Sequence, residues 1–335
     1  MINTILILFR AVLLTIALAA AASAAEESIN QQVDAAPGGK LVVDIDFGNI
    51  EVTAGADDKV AVGARRRVEF NDEAREKEYL TAAPITVTKD GNTVTVRAHS
   101  SKRESFWNLG HSRMDGQYTV RVPKNFNTDL HTDGGAIKAS GLAGVLKAET
   151  SGGDLRLIHL QGALTAKTSG GSIEVNGCNG PVDIETSGGE INVAESMGTL
   201  HARTSGGSIE VHNFAGDTDV RTSGGGLSLE NIGGKIIGKT SGGAITASVA
   251  GADVSDIKLE SSGGGIDLAL PATAAVDITA STSAGTVSSN LPLTLISADH
   301  EHLRGKLNGG GKPVFLRTSA GSITINSGSS ETAAR

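Results

Sequence analysis

One cysteine, Cys178, stands in 335 residues, so no intramolecular disulfide can form and packing and hydrogen bonds must hold the chain. Aromatic residues are scarce at 3%, which argues against a core built on large rings. Basic residues are outnumbered 29 to 37, a formal charge of -8 that argues against nucleic acid or another polyanion as partner. Long hydrophobic runs are missing: Ala11 to Ala22 is too short and too rich in alanine for a comfortable membrane span. What the chain has in quantity is glycine, 44 residues, which favours thin, tightly turning structure.

The short apolar run has Arg10 before it and the small-residue triplet Ala22-Ser23-Ala24 after it. Together these read as a secretory signal over residues 1–25. The expectation is an exported protein in the periplasm, at the cell surface or outside the cell, not membrane-spanning once the signal is removed. Residues 26–39 are polar and are expected as a loose leader ending in the turn Pro37-Gly38-Gly39.

Residues 40–125 read as an N-terminal β region. Leu41 to Phe47 alternates apolar and polar residues as a half-buried strand does, and Gly48-Asn49 turns the chain into Ile50-Glu51-Val52. Val60 to Val62 and the stretch around Val68 and Phe70 suggest further strands. Asn71 to Ala83 is the one helix, with Asn71 as cap and Pro84 as stop. Ile85 to Val96 is a hairpin turning at Asp90-Gly91. Ser100 to Gly116 is polar and irregular, and Tyr118 to Val122 leads into the repeats.

Residues 126–326 form a repeat array, followed by a flexible tail over 327–335. Thr-Ser-Gly-Gly begins at Thr150, Thr168, Thr186, Thr204, Thr222 and Thr240, with 18 residues between successive threonines. Variants begin at Thr132, Ser261, Thr282 and Thr318. A fixed period of this kind signals stacked repeats.

The order of these segments resembles a bacterial candidate-adhesin β-strand-repeat domain family, a family of unknown function. The resemblance runs from Val43-Asp-Ile-Asp-Phe-Gly-Asn-Ile-Glu-Val52, through the charged helix and the Asp90-Gly91 hairpin, to Val120-Arg-Val-Pro123. It continues through the repeated Thr-Ser-Gly-Gly-Ser-Ile strands to Leu303-Arg-Gly-Lys-Leu-Asn-Gly-Gly-Gly311 and Thr318-Ser-Ala-Gly-Ser-Ile-Thr-Ile325. It implies a β-solenoid in the cell envelope or outside it. It implies no catalytic residues.

The period itself has physical content. Four and two residues before each threonine stand apolar residues such as Leu164 and Ala166, and five and seven after it others such as Ile173 and Val175. These are period-two strands flanking Gly-Gly, with one apolar face. A fifth apolar column, Leu142, Leu160, Cys178, Phe214 and Ile232, precedes a second glycine corner at Gly144, Gly162, Gly180 and onward. A run of hairpins would satisfy the same pattern but would leave one broad sheet with its apolar face bare. Coils closing on themselves cover that face, so the expected fold is all-β, a β-solenoid (β-helix) of stacked 18-residue coils with one short helix near its N-terminal end. It requires Ile173 and Ile191 to stack at strand spacing, about 4.8 Å.

Candidate chemistry is thin, and no catalytic, cofactor-binding or metal-binding residues are assigned. The threonine column falls inward beside a corner, where hydroxyls bond one another or the turn backbone. The glycine phrase lacks the lysine of a phosphate loop and the aspartate column of a calcium-binding nonapeptide. Cys178 shares a column with Leu160 and Phe214 and reads as a buried thiol. Asp299-His300-Glu301-His302 is the densest group of potential metal ligands, yet has no further ligand at metal spacing and reads as a surface loop. A local basic zone, Arg65-Arg66-Arg67 with Arg97, His99, Lys102 and Arg103, has Phe106 and Trp107 beside it. Arg97, His99, Arg103, Phe106 and Trp107 are therefore the candidate contacts for an anionic group or a stacked sugar.

These readings point to an exported, non-enzymatic β-solenoid, adhesin-like or structural, with no cofactor and an envelope or cell-surface glycan or protein as its partner class. A carbohydrate-active β-helix enzyme would need clustered carboxylates in a groove lined with aromatics. Here the acidic residues are scattered and aromatics few. An envelope-stress accessory protein is a third reading.

Overall fold

In the computed structural model, the described residues are 25–56, 58–70, 72–99, 113–251 and 253–328. The repeats pair in parallel and in register, one period apart. Leu146–Thr150 lies on Leu164–Thr168, which lies on Val182–Thr186. On the other side of the Gly-Gly corner, Leu155–Ile158 lies on Ile173–Asn176, and Ile173 on Ile191. Hairpins would have made these neighbours antiparallel, so the chain is a solenoid. Single parallel bridges from Asn125 through Ala143, Gln161 and Asn179 to Met197 mark a third, narrow side.

The columns read from the sequence are the inner wall. Residues such as Leu146, Ala148, Leu155, Leu157 and Leu160 are buried, and one hydrophobic core runs from Ala35 to Ile325. Ser196 occupies the place held by Cys178 one coil earlier and Phe214 one coil later. Its hydroxyl donates to the Ala194 carbonyl at 2.7 Å and accepts from the Cys178 amide at 3.0 Å, so a polar group sits inside without an unmet bond.

The threonines do not bond one another. Thr168 Oγ1 donates to the carbonyl of Gly153 in the preceding coil at 2.9 Å and accepts from its own Gly171 amide at 3.3 Å. The same pair of bonds recurs at Thr150, Thr186, Thr204, Thr222 and Thr240. Each hydroxyl thereby ties one coil to the next at the corner. The two glycines of the phrase differ in role. A Cβ on Gly153 would stand 1.9 Å from the Gly135 carbonyl oxygen, whereas one on Gly152 meets nothing within 4 Å. In this coil only the second is required by close approach; the first tightens along the array, and a Cβ on Gly242 would stand 2.9 Å from the Gly224 carbonyl oxygen.

A further column escapes the sequence reading. Gly141, His159, Gly177, Glu195, Asn213 and Asn231 all hold positive φ, between 48° and 73°. Glycine and asparagine suit this left-handed corner, while histidine and glutamate hide it from view. Asn231 Nδ2 donates to Asn213 Oδ1 at 2.7 Å and Asn213 Nδ2 to Glu195 Oε1 at 2.5 Å, a side-chain ladder along the corner.

At the N-terminal end, eight elements precede the array. They are β1 (Ala25–Asp34), β2 (Lys40–Ile45), β3 (Asn49–Gly55), β4 (Lys59–Glu69), α1 (Glu73–Ala82), β5 (Thr86–Asp90), β6 (Thr93–Ala98) and β7 (Arg113–Pro123). The segment expected as a loose leader is largely β1, paired antiparallel along its whole length with β4. Its alternation of half-buried and exposed residues is weak in hydrophobicity because β1 lies at a sheet edge, which is why composition made it look like coil. Val60 and Val68 belong to one strand, β4. The irregular stretch also gives up its last residues, from Arg113, to β7. Asn71 lies outside the described residues; the helix cap is Asp72, whose carboxylate accepts from the Ala74 amide at 2.9 Å. The β5–β6 hairpin forms as expected, but Asp90 pairs with Thr93, so its turn is Gly91-Asn92, one residue on from the expected Asp90-Gly91.

The stacking order departs from the chain order at both ends. β2 lies between β6 and the strand Asn127–Thr132, and β3 lies between β7 and Ile137–Ser140. The first coil in sequence is therefore second in space. Likewise Lys312–Thr318 lies between Ile257–Ser261 and Val276–Ser281, so the last coil in sequence is tucked inside the one before it. The double step between Thr282 and Thr318 reflects this return. Antiparallel strands then cover the exposed edges: β1, β4 and β5 at one end, His302–Leu307 and Thr294–Ala298 at the other. The final strand runs to Gly328, two residues into the segment expected as tail.

Three outcomes test this account. Gly153→Ala should cost about 1–3 kcal/mol in denaturant unfolding, as overpacking does, while Gly152→Ala should stay within about 0.5 kcal/mol of wild type. Thr186→Val strips a bond from each of two coils and should cost about 1–3 kcal/mol by the same measurement. Glu195→Asn should gain about 0.5 kcal/mol, because asparagine tolerates the left-handed corner and extends the ladder.

Candidate functional site

The margin singled out by the sequence is only partly visible, because Arg103, Phe106 and Trp107 lie outside the described residues. Arg97 and His99 are described, at the end of β6. Both face carboxylates on β2. The register sets Asp44 opposite Arg97, with Arg97 Nε 4.0 Å from Asp44 Oδ2. The His99 ring spans two carboxylates: Nε2 is 2.6 Å from Asp44 Oδ1, and Nδ1 bonds Asp46. Burial works against a charge on this ring, but the hydrogen bonds from Asp44 and Asp46 outweigh it and raise its pKa above the ordinary histidine value. His131, on the coil beyond, lies opposite Asp44 and 3.4 Å from Asp133.

Asp44 and Asp46 were not among the candidates. Their alternation along β2 and the residue after it shows that they face outward together, but nothing local reveals that β6 stacks on β2, since that pairing comes from the inserted coil.

Arg65, Arg66 and Arg67 do not form one basic patch. They alternate along β4, so Arg65 and Arg67 point outward and Arg66 points in. Arg65 makes a two-pronged pair with Glu26 at 2.7 and 3.0 Å, and Arg67 lies 3.9 Å from Glu69. Arg66 is fully buried. It grips Glu27 at 2.7 and 2.5 Å and donates to the carbonyls of Leu80 and Ala83, closing the C-terminal end of α1. Glu27 in turn accepts from the Ile85 amide at 3.1 Å. Only Glu76 and Tyr79 of α1 are buried. The helix is thus anchored by polar bonds with little apolar face, over a small cluster of Val68, Phe70 and Tyr79.

Along the outside of the solenoid runs a continuous row of charged residues, one per coil. In spatial order it reads Arg97, Asp44, His131, Glu149, Lys167, Glu185, Arg203, Arg221, Lys239, Glu260 and Arg317. From Glu149 to Arg203 the row alternates in sign, with Lys167 3.3 Å from Glu185. Arg203, Arg221 and Lys239 then stand in succession. Asp219 chelates Arg221 through two bonds of 2.9 Å, which offsets that repulsion. Such exposed pairs contribute at most a few tenths of a kcal/mol each.

The remaining candidates have structural explanations. Asp299 accepts from the amides of Glu301 and His302 at 2.8 and 2.7 Å, so it shapes the turn between Thr294–Ala298 and His302–Leu307. Those amides hold its carboxyl below the usual range. Among the described residues no group of three His, Cys, Asp or Glu side chains is placed to hold a metal ion. Cys178 is buried, with Sγ 3.7 Å from the Leu157 carbonyl, and burial pushes its thiol up, away from the reactive thiolate. Among the described residues no helix is long and apolar enough to cross a membrane.

Solved structures with detectable similarity include a candidate adhesin from Parabacteroides distasonis, 9% identical, covering 90% of this chain and 97% of that one at a TM-score of 0.45. A candidate adhesin from Bacteroides fragilis is 13% identical, covering 89% and 97%, at a TM-score of 0.33. A protein from Parabacteroides distasonis described as a candidate lipid-binding protein is 13% identical, covering 90% and 96%, at 0.28. No curated protein matches the sequence. The sequence model of one family matches residues 39–219, more than half of the chain, and on that match the chain belongs to the Toastrack DUF4097 family.

Proposed function

We propose that this protein is an exported, non-enzymatic solenoid that meets its partner on its outer surface, as an adhesin-like or structural component of the cell envelope. One observation carries the reading. Every column that repeats faithfully, apolar, threonine or glycine, is consumed by contacts between coils, while the outward positions change from coil to coil. A carbohydrate-active enzyme would need paired carboxylates flanking the bond to be cut. Here the repeating polar groups serve the stack, and chemical variety is left to a long outer side and the loops at its margins.

The partner class that suits such a surface is an extended envelope or cell-surface glycan, or a protein. The contact region is the N-terminal margin, where Arg97, with His99 held beside it by Asp44 and Asp46, would meet an anionic group and Arg103, Phe106 and Trp107 would supply a second cation and stacking faces. The export signal over residues 1–25 supports placement in the periplasm or at the surface.

The test joins a glycan array and an envelope pull-down with a polysaccharide turnover screen. Binding without turnover is expected, weakened at least about tenfold by Trp107→Ala, the scale of losing one stacked ring, with the melting temperature unchanged. Turnover of any polysaccharide would overturn the reading, as would capture of the same partner at full strength by the Trp107→Ala protein.

A further inference from the structure

Glu76 is the acidic residue whose burial the rest of the fold does not explain. It is 4% exposed, beneath α1 and beside Phe70 and Tyr79. A carboxylate so buried is costly unless a cation or several donors meet it. Its Oε1 accepts from the Phe70 amide at 2.8 Å, and its Oε2 accepts from the main-chain nitrogen of Ala25 at 3.0 Å.

The surrounding cations are otherwise engaged. Arg65 pairs with Glu26, Arg66 with Glu27, Arg67 with Glu69 and Lys77 with Glu73. Of the other charged groups on the elements packed here, Asp72 caps the helix. Arg75 and Glu78 on α1 and Arg113 and Asp115 on β7 are exposed. Among the described residues, two backbone nitrogens are what Glu76 holds.

One of those nitrogens sits where the sequence places a cut. Ala22-Ser23-Ala24 is the small-residue triplet of an export signal, and cleavage directly after it releases the chain at Ala25. Ala25 is also the first residue of β1, opposite Val68. We propose that the Ala24–Ala25 bond, one residue before the end of the signal expected over 1–25, is the processing site, and that the α-ammonium created there forms a part-buried ion pair with Glu76 that locks β1 and α1 over the end of the solenoid. A signal-processing endopeptidase supplies the chemistry. Water adds hydroxyl to the Ala24 carbonyl carbon and a proton to the Ala25 nitrogen, and the freed amine takes a second proton from solvent. Before the cut the same nitrogen is an uncharged amide donor. Processing therefore adds a charge at a position already shaped to receive it.

This rests on the export reading, and the two fail differently. The first measurement is the mass of the N-terminal peptide of the exported protein, expected to begin at Ala25. Absence of export would remove both readings, whereas export with a different first residue would overturn the proposal alone. The second measurement compares a chain beginning at Ala25 with one carrying a single extra glycine before it. The longer chain keeps an N–H for Glu76 at Ala25 and moves the charge one residue further out, away from the carboxylate. At pH 7 the Ala25 chain should have a folding equilibrium larger by about tenfold, one pKa unit of coupling.

An ammonium stabilised by a carboxylate has a raised folded pKa. Its contribution is thus complete below its unfolded value of about 7.7–8.0 and disappears as pH rises through the folded one. The difference between the two chains should close on going from neutral to alkaline pH. Glu76→Gln should abolish it at every pH; if that variant does not fold, the glycine comparison decides alone. Equal stability of the two chains at pH 7 would overturn the proposal.

Discussion

The fold depends on how closely one coil can lie on the next. At the Gly-Gly corner the second glycine of each coil sits against the carbonyl of its counterpart below, leaving no space for a side chain. That contact fixes the height of the corner, and the height fixes the register of both strands that leave it. The threonine hydroxyl completes the arrangement by joining the two glycines it lies between. Register in a sheet is usually set by hydrophobic pattern. Here a main-chain contact repeated coil after coil sets it first, and the apolar columns follow.

The same constraint explains the small aromatic content. Coils closing within 18 residues enclose a narrow interior, and leucine, isoleucine, valine and alanine fill it when each stacks on a like residue. The wider side chains stand where the geometry opens. Phe214 lies in the column beside the second corner, and Tyr79, Phe70 and Phe47 gather under α1, with ring centroids about 6 Å apart.

Much of this was legible in the sequence because the cause is local and repeated. The period, the two corners, the inward threonine and the pairing of Ile173 with Ile191 all follow from spacing alone. What was not legible follows from contacts between distant segments. Nothing in Leu41 to Ile45 says that it enters between Thr93–Ala98 and Asn127–Thr132, so the carboxylates awaiting His99 could not be named. Residues 25–34 pass for coil until Lys59–Glu69 is placed beside them. The left-handed corner was obscured because His159 and Glu195 fill places that glycine or asparagine would have announced. At the candidate margin, sequence identified the cations but grouped Arg66 with its neighbours, since alternation within a charged run carries no hydrophobic signal.

The interleaving of coils at both ends has a consequence for how such a protein can vary in length. Each end is a self-contained fitting: a terminal coil slipped inside its neighbour and closed by antiparallel strands. The coils between Thr150 and Thr240 touch only the coil above and the coil below. Gain or loss of one 18-residue unit there lengthens or shortens the rod by a single rung, about 4.8 Å, and leaves both fittings unaltered. The molecule is in effect a rod of adjustable reach with constant ends, and reach is a property that selection can tune without redesigning a fold.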